Sequence, residues 1–360
     1  MNQQALLDLF QQAIDPLTGH SLQADKAKID VRLAGLDVHV TLTLGYPAAT
    51  RHTAWQAALQ ARAQALMPGA QVHLTLLHDI IIHKIQDGVQ ALKGVKNVIA
   101  VGSGKGGVGK STVAANLALA LSAQGARVGL LDADIYGPSV PTVMGVHDKP
   151  EIVGESTMKP LSAHGLQLMS VGFMVPPDSA LVWRGPMITQ ALEQMFKQTA
   201  WDNLDYLIVD LPPGTGDIQL SMTQKLPVTG AVIVTTPQDL ALADAVKAVS
   251  MFEKVKIPVF GVVENMAVYC CPNCGHTEHI FGQGGGKAMA QAKGLSYLGA
   301  LPLAMRIRED ADAGKPTVVA DPQSDLTALY RDVAVHVAAK VAALGRDFSH
   351  KFGSIAVQKV

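Results

Sequence analysis

A glycine-rich loop at residues 104–111 has residue types and spacing that could bind phosphate. It follows the apolar run Val98–Val101 and precedes a helical pattern. Glycines let successive backbone N–H groups turn towards phosphate oxygens, and the start of a helix adds its positive end. The pattern predicts that Lys110 contacts the β- and γ-phosphates of a nucleotide and that the Ser111 hydroxyl binds Mg²⁺. The predicted nucleotide-binding residues of this segment are Gly104, Lys105, Gly106, Gly107, Val108, Gly109, Lys110, Ser111 and Thr112.

Acidic residues end two further apolar runs, where a parallel sheet would point them at the same phosphates. Asp132 and Asp134 follow one run, and Asp210 closes the run Leu207–Val209. An apolar strand ending in aspartate predicts that Asp210 acts on Mg²⁺ through water. The backbone N–H of Gly214, four residues later, could contact the γ-phosphate. Asp132 and Asp134 are both candidates for a carboxylate that faces the phosphates.

The cysteines form the second group of residues with a chemical pattern. All three lie together at Cys270, Cys271 and Cys274. The order Cys-Pro-Asn-Cys-Gly predicts a metal-binding turn in which Cys271 and Cys274 are the ligands. Two thiolates are half of the usual four-ligand set of an iron–sulfur cluster or a structural zinc ion.

Three completions of the cysteine site remain open from these residues. A zinc site within the chain would have to use Cys270, His276 or His279, which is a cramped arrangement. A redox Cys-x-x-Cys motif would be expected at the start of a helix, and Gly275-His276-Thr277 does not resemble one. A site shared by two chains, with two cysteines from each, is the preferred interpretation.

Composition excludes several classes of function. The 29 lysines and arginines nearly balance 30 acidic residues, which gives a formal net charge of −1 and no basic field for nucleic acid. No apolar run approaches the ~20 residues of a membrane helix. Residues 1–9 lack the pattern of a signal peptide. We therefore expect a cytoplasmic protein with neither nucleic acid nor membrane as a partner.

The elements that must position these groups fall into two predicted domains and a tail. Residues 1–90 predict a small α+β domain, with helices over Ala5–Ile14 and Ala54–Met67 and strands over Lys28–Leu33, Asp37–Leu44 and Gln71–Leu77. A polar linker, Lys84–Lys96, follows. Residues 97–345 predict an α/β P-loop NTPase with a mostly parallel sheet flanked by helices. Residues 346–360 form a tail without a clear pattern.

The larger domain is predicted from alternating strands and helices. The predicted strands are Val98–Val101, Val128–Leu131, Tyr206–Val209, Ala231–Thr235, Val259–Val263 and Tyr297–Ala300. The predicted helices are Thr112–Gln124, Leu240–Val255, Gly286–Lys293 and Ser324–Leu344.

These motifs, in this order, resemble the Mrp/ApbC family of iron–sulfur carrier ATPases over residues 97–344. The segments that carry the resemblance are the phosphate loop, Asp132–Ser139, Trp183–Met187, Asp210–Asp217, Glu264–Met266 and the Cys-x-x-Cys pair. The loop itself resembles the deviant Walker A loop of the MinD/ParA/nitrogenase-iron-protein class. Residues 1–90 resemble a domain found in other iron–sulfur assembly proteins, but the stretch where that domain often has a cysteine reads Leu44-Gly45-Tyr46-Pro47.

The resemblance implies roles for individual residues. Lys105 would cross a dimer interface to the partner's nucleotide, and Asp134 would position the attacking water. Asn265, at the end of a strand, would contact the adenine base. Together with Lys110, these residues complete the predicted catalytic and nucleotide-binding set.

The resemblance also implies a homodimer that hydrolyses ATP slowly and delivers a [4Fe-4S] cluster from scaffold donors to recipient apoproteins. ATP, Mg²⁺ and the cluster are the expected cofactors. The alternative is a MinD/ParA-like ATPase with a structural zinc knuckle, which would share the loop but would have no use for a labile cluster.

Overall fold

The computed structural model describes residues 3–50, 52–86, 88–154, 156–174 and 185–345. The family segment at Trp183–Arg184 and the tail 346–360 lie outside these residues. The first elements along the chain are α1 (Gln3–Gln12), β1 (Lys28–Ala34), β2 (Asp37–Leu44), α2 (Thr53–Leu66) and β3 (Gln71–His78). Their three strands form one sheet in the order β1-β2-β3, with β1 antiparallel and β3 parallel to β2. The three strands and two helices predicted in the first 90 residues are confirmed.

Helix α2 covers the open edge of strand β3 with glutamines. The side-chain amides of Gln56 and Gln60 donate to the carbonyls of Leu74 and Val72 at 2.6 and 2.7 Å. A third glutamine one turn later, Gln64, accepts from the Val72 N–H at 3.0 Å. Side chains of a helix therefore take the place of a neighbouring strand at an edge that would otherwise be free to pair.

Of the twelve remaining strands in the described residues, eight build a larger sheet and four form two short pairs. The twelve are β4 (Val95–Gly102), β5 (Val128–Asp132), β6 (Ile152–Val153), β7 (Thr157–Met158), β8 (Leu161–Ala163), β9 (Leu166–Ser170), β10 (Leu204–Asp210), β11 (Gly230–Thr235), β12 (Val259–Glu264), β13 (Tyr269–Cys270), β14 (Thr277–Glu278) and β15 (Tyr297–Ala300). The short pairs are β6 with β7 and β13 with β14. The other eight pair in the order β15-β12-β11-β4-β10-β5-β9-β8, and all neighbours are parallel except β8 and β9. The predicted mostly parallel sheet is confirmed.

Helices cover this sheet. They are α3 (Lys110–Ala123), α4 (Val140–Met144), α5 (Gly185–Gln198), α6 (Asp217–Lys225), α7 (Asp239–Lys254), α8 (Gly285–Ala292), α9 (Met305–Asp312), α10 (Thr317–Ala320) and α11 (Asp325–Ala342). Helix α3 is buried over nearly its whole length because it lies between the sheet and α11. Within the described ranges, no helix is both long and apolar enough to cross a bilayer.

The stretch expected to be a polar linker is held in place. Strand β4 begins inside it, at Val95. The Asn97 side chain donates to the Ile81 carbonyl at 2.9 Å, and Gln86 donates to the Thr223 carbonyl at 2.8 Å. Gln86 thus ties the segment to α6, and its last two residues belong to β4 of the large sheet, neither of which the sequence pattern indicates.

The first part of the chain also packs against helices α3 and α11 of the larger part. Thr50 and the fully buried Gln124 exchange two hydrogen bonds, at 3.0 and 2.7 Å, at the end of α3. Gly45 lies against Ala342 of α11, where a Cβ on the glycine would be 3.2 Å from the alanine Cβ. One hydrophobic core runs through both parts. The boundaries drawn at residues 90 and 97 stay a prediction.

Candidate functional site

The glycine-rich loop joins β4 to α3 and encloses a cavity of about 250 Å³. Gly107 and Gly109 have φ angles of +81° and +79°, a conformation that favours glycine. Gly104 is required for a different reason, because a Cβ there would lie 2.1 Å from the Asp244 carbonyl carbon in α7. The loop residues from Lys105 to Thr112 line the cavity, as the sequence predicts for a phosphate site.

Lys110 lies within this site and forms a buried ion pair. Its Nζ is 2.5 Å from Oδ1 of Asp210, and both side chains are almost completely buried. The second carboxylate oxygen, Asp210 Oδ2, is buried without a hydrogen-bond partner. Ser111 Oγ lies 3.4 Å from the same ammonium group. One carboxylate oxygen and one hydroxyl beside a phosphate cavity fit Mg²⁺, which usually takes one or two carboxylates together with phosphates and water.

The two aspartates after β5 have different environments. Asp132 accepts from the N–H groups of Asp134, Ser139 and Val140 and from the Ser170 hydroxyl, each at 3.0 Å. Burial, together with the nearby Asp210 charge, raises the pKa of Asp132 to about 7. Its four donors hold the loop after β5, so Asp132 has a structural task.

Asp134 lines the cavity instead. Its Oδ1 is buried without a hydrogen-bond partner. Burial raises the pKa of Asp134, and the Lys110 charge opposes that rise. A carboxylate with an unused oxygen beside the phosphate loop is the group that could orient a water molecule, and this geometry favours Asp134 over Asp132 for that role.

The nucleotide contacts expected of Gly214 and Lys105 stay predictions. The N–H of Gly214 donates to the Ser103 carbonyl at 3.0 Å, which ties the segment after β10 to the start of the phosphate loop. A contact from this N–H to a γ-phosphate would require that bond to exchange. The Lys105 carbonyl accepts from Ser103 Oγ at 2.9 Å, while the Lys105 side chain has no ion pair with any described residue.

Asn265 contacts the phosphate loop itself. Its Nδ2 donates to the Val108 carbonyl at 2.8 Å, and its side chain is buried. A Cβ on Gly109 would lie 2.3 Å from that nitrogen, so the glycine also makes room for the asparagine. The amide has a second N–H and an oxygen left for other partners. The predicted contact with adenine stays a prediction.

The cysteines lie on a short hairpin made by β13 and β14. The Cys271 N–H donates to the His276 carbonyl at 2.8 Å, and the Gly275 N–H donates to the Cys271 carbonyl at 2.9 Å. Gly275 has a φ of +72°, as expected for a glycine that ends such a turn. The structure thus brings Cys271 and Cys274 together at the tip of a surface hairpin, where Cys274 is exposed and Cys271 is half-buried.

Backbone amides surround the first of these thiols. The N–H groups of Cys274 and Asn273 hydrogen-bond to the Cys271 sulfur and lower its pKa, with smaller contributions from the Cys274 and Tyr269 side chains. The Cys270 thiol is directed instead at the Gly275 carbonyl, 3.8 Å away. Cys271 and Cys274 therefore form the pair, and Cys270 lies apart from it.

The histidines after the pair do not complete a metal site. Nδ1 of His279 is hydrogen-bonded to the Ala267 carbonyl at 2.8 Å. Among the residues that the structure describes, no group of three or more His, Cys, Asp or Glu side chains is arranged to hold a metal ion. In the described part of the chain, Cys271 and Cys274 are the thiols that pair at the hairpin, and a four-ligand site would need two further ligands beside them.

Sequence reasoning named Glu264 only as part of a family segment and missed that it holds the strand before the hairpin. The buried Glu264 accepts from the Gly286 N–H at 2.7 Å and from the Tyr297 hydroxyl at 2.8 Å. It fixes the end of β12 to α8 and β15. A glutamate at the end of an apolar strand was the available signal, because a buried charge needs partners.

Comparisons with known proteins agree with the motifs. Residues 94–338 match the profile of a family described as the NUBPL iron-transfer P-loop NTPase. An iron–sulfur cluster carrier protein of Pseudomonas fragi is 58% identical over 70% of this chain and 89% of its own length. One of Escherichia coli is 48% identical over 91% of this chain and 89% of its own, a share that extends into the first 90 residues.

Solved structures give the same fold. A nucleotide-binding protein from Archaeoglobus fulgidus, in complex with ADP, is 38% identical and superposes with a TM-score of 0.57 over 65% of this chain and 91% of its own. The MinD cell division ATPase of Pyrococcus furiosus, at 23% identity, shares the fold with a TM-score of 0.52 over 67% of this chain and 98% of its own.

Proposed function

This chain belongs to the family of NUBPL iron-transfer P-loop NTPases, and from that premise we propose that it is an ATP-hydrolysing carrier of iron–sulfur clusters. It holds a cluster on the cysteine hairpin and passes it to apoproteins. The observation that carries the proposal is the pair Cys271–Cys274, exposed at a hairpin tip and supplied with N–H donors, in a chain that also has a complete phosphate loop. Relatives at 48% and 58% identity are named as carriers of such clusters.

The nucleotide half of the function uses the residues around the phosphate loop. Backbone N–H groups from Gly106 to Ser111 bind the phosphates, and Lys110 neutralises charge on the β- and γ-phosphates. Ser111 and Asp210 would hold Mg²⁺, which supplies further charge neutralisation there. Asp134 orients the attacking water. These positions lie at one end of the parallel sheet, beyond the carboxyl ends of β4, β5 and β10.

The cluster is the cargo, and its site needs two chains. Each chain supplies two thiolates, whereas a [4Fe-4S] cluster takes four. A homodimer with a two-fold axis brings the same hairpin together twice and so closes the site. The Lys105 side chain, which has no ion pair with a described residue, would reach the nucleotide of the other subunit in the same dimer. Cluster and nucleotide would then share one interface.

Exposure of the hairpin suits transfer. A recipient apoprotein can approach a cluster held at a surface by short loops, and exchange of thiolate ligands can then move it without rearranging the core. Scaffold proteins that donate clusters would use the same access. ATP binding and hydrolysis would act as the switch between holding and releasing the cluster.

Anaerobic reconstitution with iron and sulfide tests this function. We expect a brown protein whose absorption is lost in Cys271→Ala and kept in Cys270→Ala, and which activates the apo form of a [4Fe-4S]-dependent enzyme. Transfer rates measured with ATP and with β,γ-imido-ATP report whether hydrolysis is coupled to transfer. A colourless protein that purifies with stoichiometric zinc would instead support a MinD/ParA-like ATPase with a structural zinc knuckle.

A further inference from the structure

A continuous, hydrogen-bonded segment connects the phosphate loop to the cysteine hairpin. It begins at Asn265, whose side chain donates to the Val108 carbonyl and whose N–H donates to the Thr235 carbonyl at 2.7 Å. It ends at Cys271, six residues later in the sequence. A fully extended chain of that length spans at most ~20 Å, so little separates the two sites along the backbone.

The segment has little freedom to absorb a displacement. Ala267 donates to the Leu301 carbonyl at 2.9 Å, and Val268 accepts from the Leu303 N–H at 2.8 Å, so one side is bound to the chain after β15. His279, returning from the hairpin, is hydrogen-bonded to the Ala267 carbonyl on the same stretch. Strand β13 then leads directly into the cysteine turn. A shift at one end is therefore passed to the other.

The end at the phosphate loop is closely fitted. Besides the contact of Asn265 with Val108 and Gly109, the Met266 Cε lies 3.6 Å from where a Cβ on Gly109 would be. Met266 has a φ of +55°, an uncommon conformation for a residue with a side chain. Any change in the loop at residues 108–109 when phosphate binds must be accommodated by these two side chains.

We propose that Asn265 is the positioning residue through which the nucleotide controls the geometry of the cysteine hairpin. Its amide moves with the Val108 carbonyl because the two are hydrogen-bonded. The hydrogen-bonded segment 266–270 then passes that displacement to Cys271. Coupling between two binding sites is reciprocal, so a cluster on the hairpin would change nucleotide affinity by the same factor by which nucleotide changes cluster affinity. The inference rests on the proposed function for the identity of the cargo, but not for the motion of the hairpin.

Amide hydrogen exchange of the cluster-free full chain tests the motion directly. The N–H groups of Cys271 and Gly275 are both hydrogen-bonded within the hairpin and report its geometry. We expect saturating Mg²⁺ and β,γ-imido-ATP to change their exchange rates by at least about fivefold in the unmodified protein. In Asn265→Asp, which keeps the size of the side chain but removes the donor to Val108, the change should fall below about twofold.

A matched control variant shows whether losing an amide side chain elsewhere in the protein also changes the response of the exchange rates to nucleotide. Gln291 is exposed on α8, and Gln291→Ala should respond to the nucleotide as the unmodified protein does. Asn265→Ala gives a second measurement should the aspartate destabilise the loop. A full response in both Asn265 variants, or no response in the unmodified protein, overturns the inference.

A second measurement uses the cluster. In the reconstituted protein, β,γ-imido-ATP should change the rate of iron release to a chelator by the same order, and Asn265→Asp should abolish that change at saturating nucleotide. Failure to bind a cluster would contradict the proposed function and leave the exchange result standing. A cluster that binds normally but whose release still responds to nucleotide in Asn265→Asp would contradict the coupling alone.

Discussion

The two lysines of the phosphate loop differ in their surroundings, and this difference predicts different phenotypes. Lys110 is buried against Asp210, whereas the Lys105 side chain is partly exposed and has no ion pair with a described residue. Lys110→Ala should weaken ATP binding by roughly 10–150-fold, the loss expected for a hydrogen bond to a charged group. Lys105→Ala should leave affinity within about threefold, yet reduce hydrolysis, because its contact is made only in the dimer. Isothermal titration and phosphate release measure the two effects.

The Lys110 variant needs its own control. Removing the ammonium leaves Asp210 charged and buried, which can cost about 3–5 kcal/mol of stability. The double variant Lys110→Ala/Asp210→Asn removes that unpaired charge and should recover stability without recovering ATP binding. Equal loss of ATP affinity in Lys105→Ala and Lys110→Ala would show that Lys105 does not act across the dimer.

The two aspartates after β5 should also separate. Asp134→Asn should bind nucleotide but lose most hydrolysis. An amide in the cavity cannot accept a proton from water, or align it, as the carboxylate does. Asp132→Asn should lower the free energy of unfolding by about 1–3 kcal/mol. The amide N–H₂ would face the N–H and O–H donors from which Asp132 now accepts hydrogen bonds. Thermal unfolding measures the loss of stability, and single-turnover kinetics measures the loss of hydrolysis. A stable Asp132→Asn protein without hydrolysis would reverse the assignment.

At the scale of elements, the strands of the buried sheet were predictable and the small elements around them were not. Six runs, from Val98–Val101 to Tyr297–Ala300, appear as strands because both faces of a parallel sheet are apolar. The short strands β8, β9, β13 and β14 carry no such pattern, since backbone pairing at an edge or a turn defines them. The glutamines of α2 likewise read as ordinary helix formers, although three of them bond to the edge of β3.

The candidate site, too, was predictable from sequence only where its motifs are local. Its residue types and order identified the phosphate loop and the cysteine pair, because these motifs are local in sequence. The bond from Asn265 to Val108 joins residues 157 positions apart, and the partners of Asp132 extend to Ser170. Contacts of that range depend on how the sheet is assembled, and a single sequence carries no local signal for them.

The first 90 residues pack on helices α3 and α11 more closely than a flexible linker between domains would suggest. A chain that begins at Lys93 retains the phosphate loop, Asp134, Asp210 and the cysteines, so we expect it to bind and hydrolyse ATP. It loses the Thr50–Gln124 bonds and uncovers the face of α11 around Ala342. A loss of about 2 kcal/mol would lower its melting temperature by roughly 4–8 °C. A well-folded truncated chain that fails to bind nucleotide would contradict this expectation.

At the scale of the whole molecule, the proposed dimer fixes the stoichiometry of the cluster. Cys271 and Cys274 provide two ligands per chain, and the described residues hold no third ligand beside them. We therefore expect one [4Fe-4S] cluster per dimer, about four irons for two chains. Cys271→Ala and Cys274→Ala should each abolish iron binding and leave the ATP affinity of the cluster-free protein intact, because neither thiol lines the cavity of the phosphate loop. Cys270→Ala should retain most of the iron, since that thiol is directed at the Gly275 carbonyl. Anaerobic iron and sulfide assays with light scattering measure both quantities. Full iron content on a monomer, or a Cys270 variant as defective as the other two, would place all the ligands within one chain.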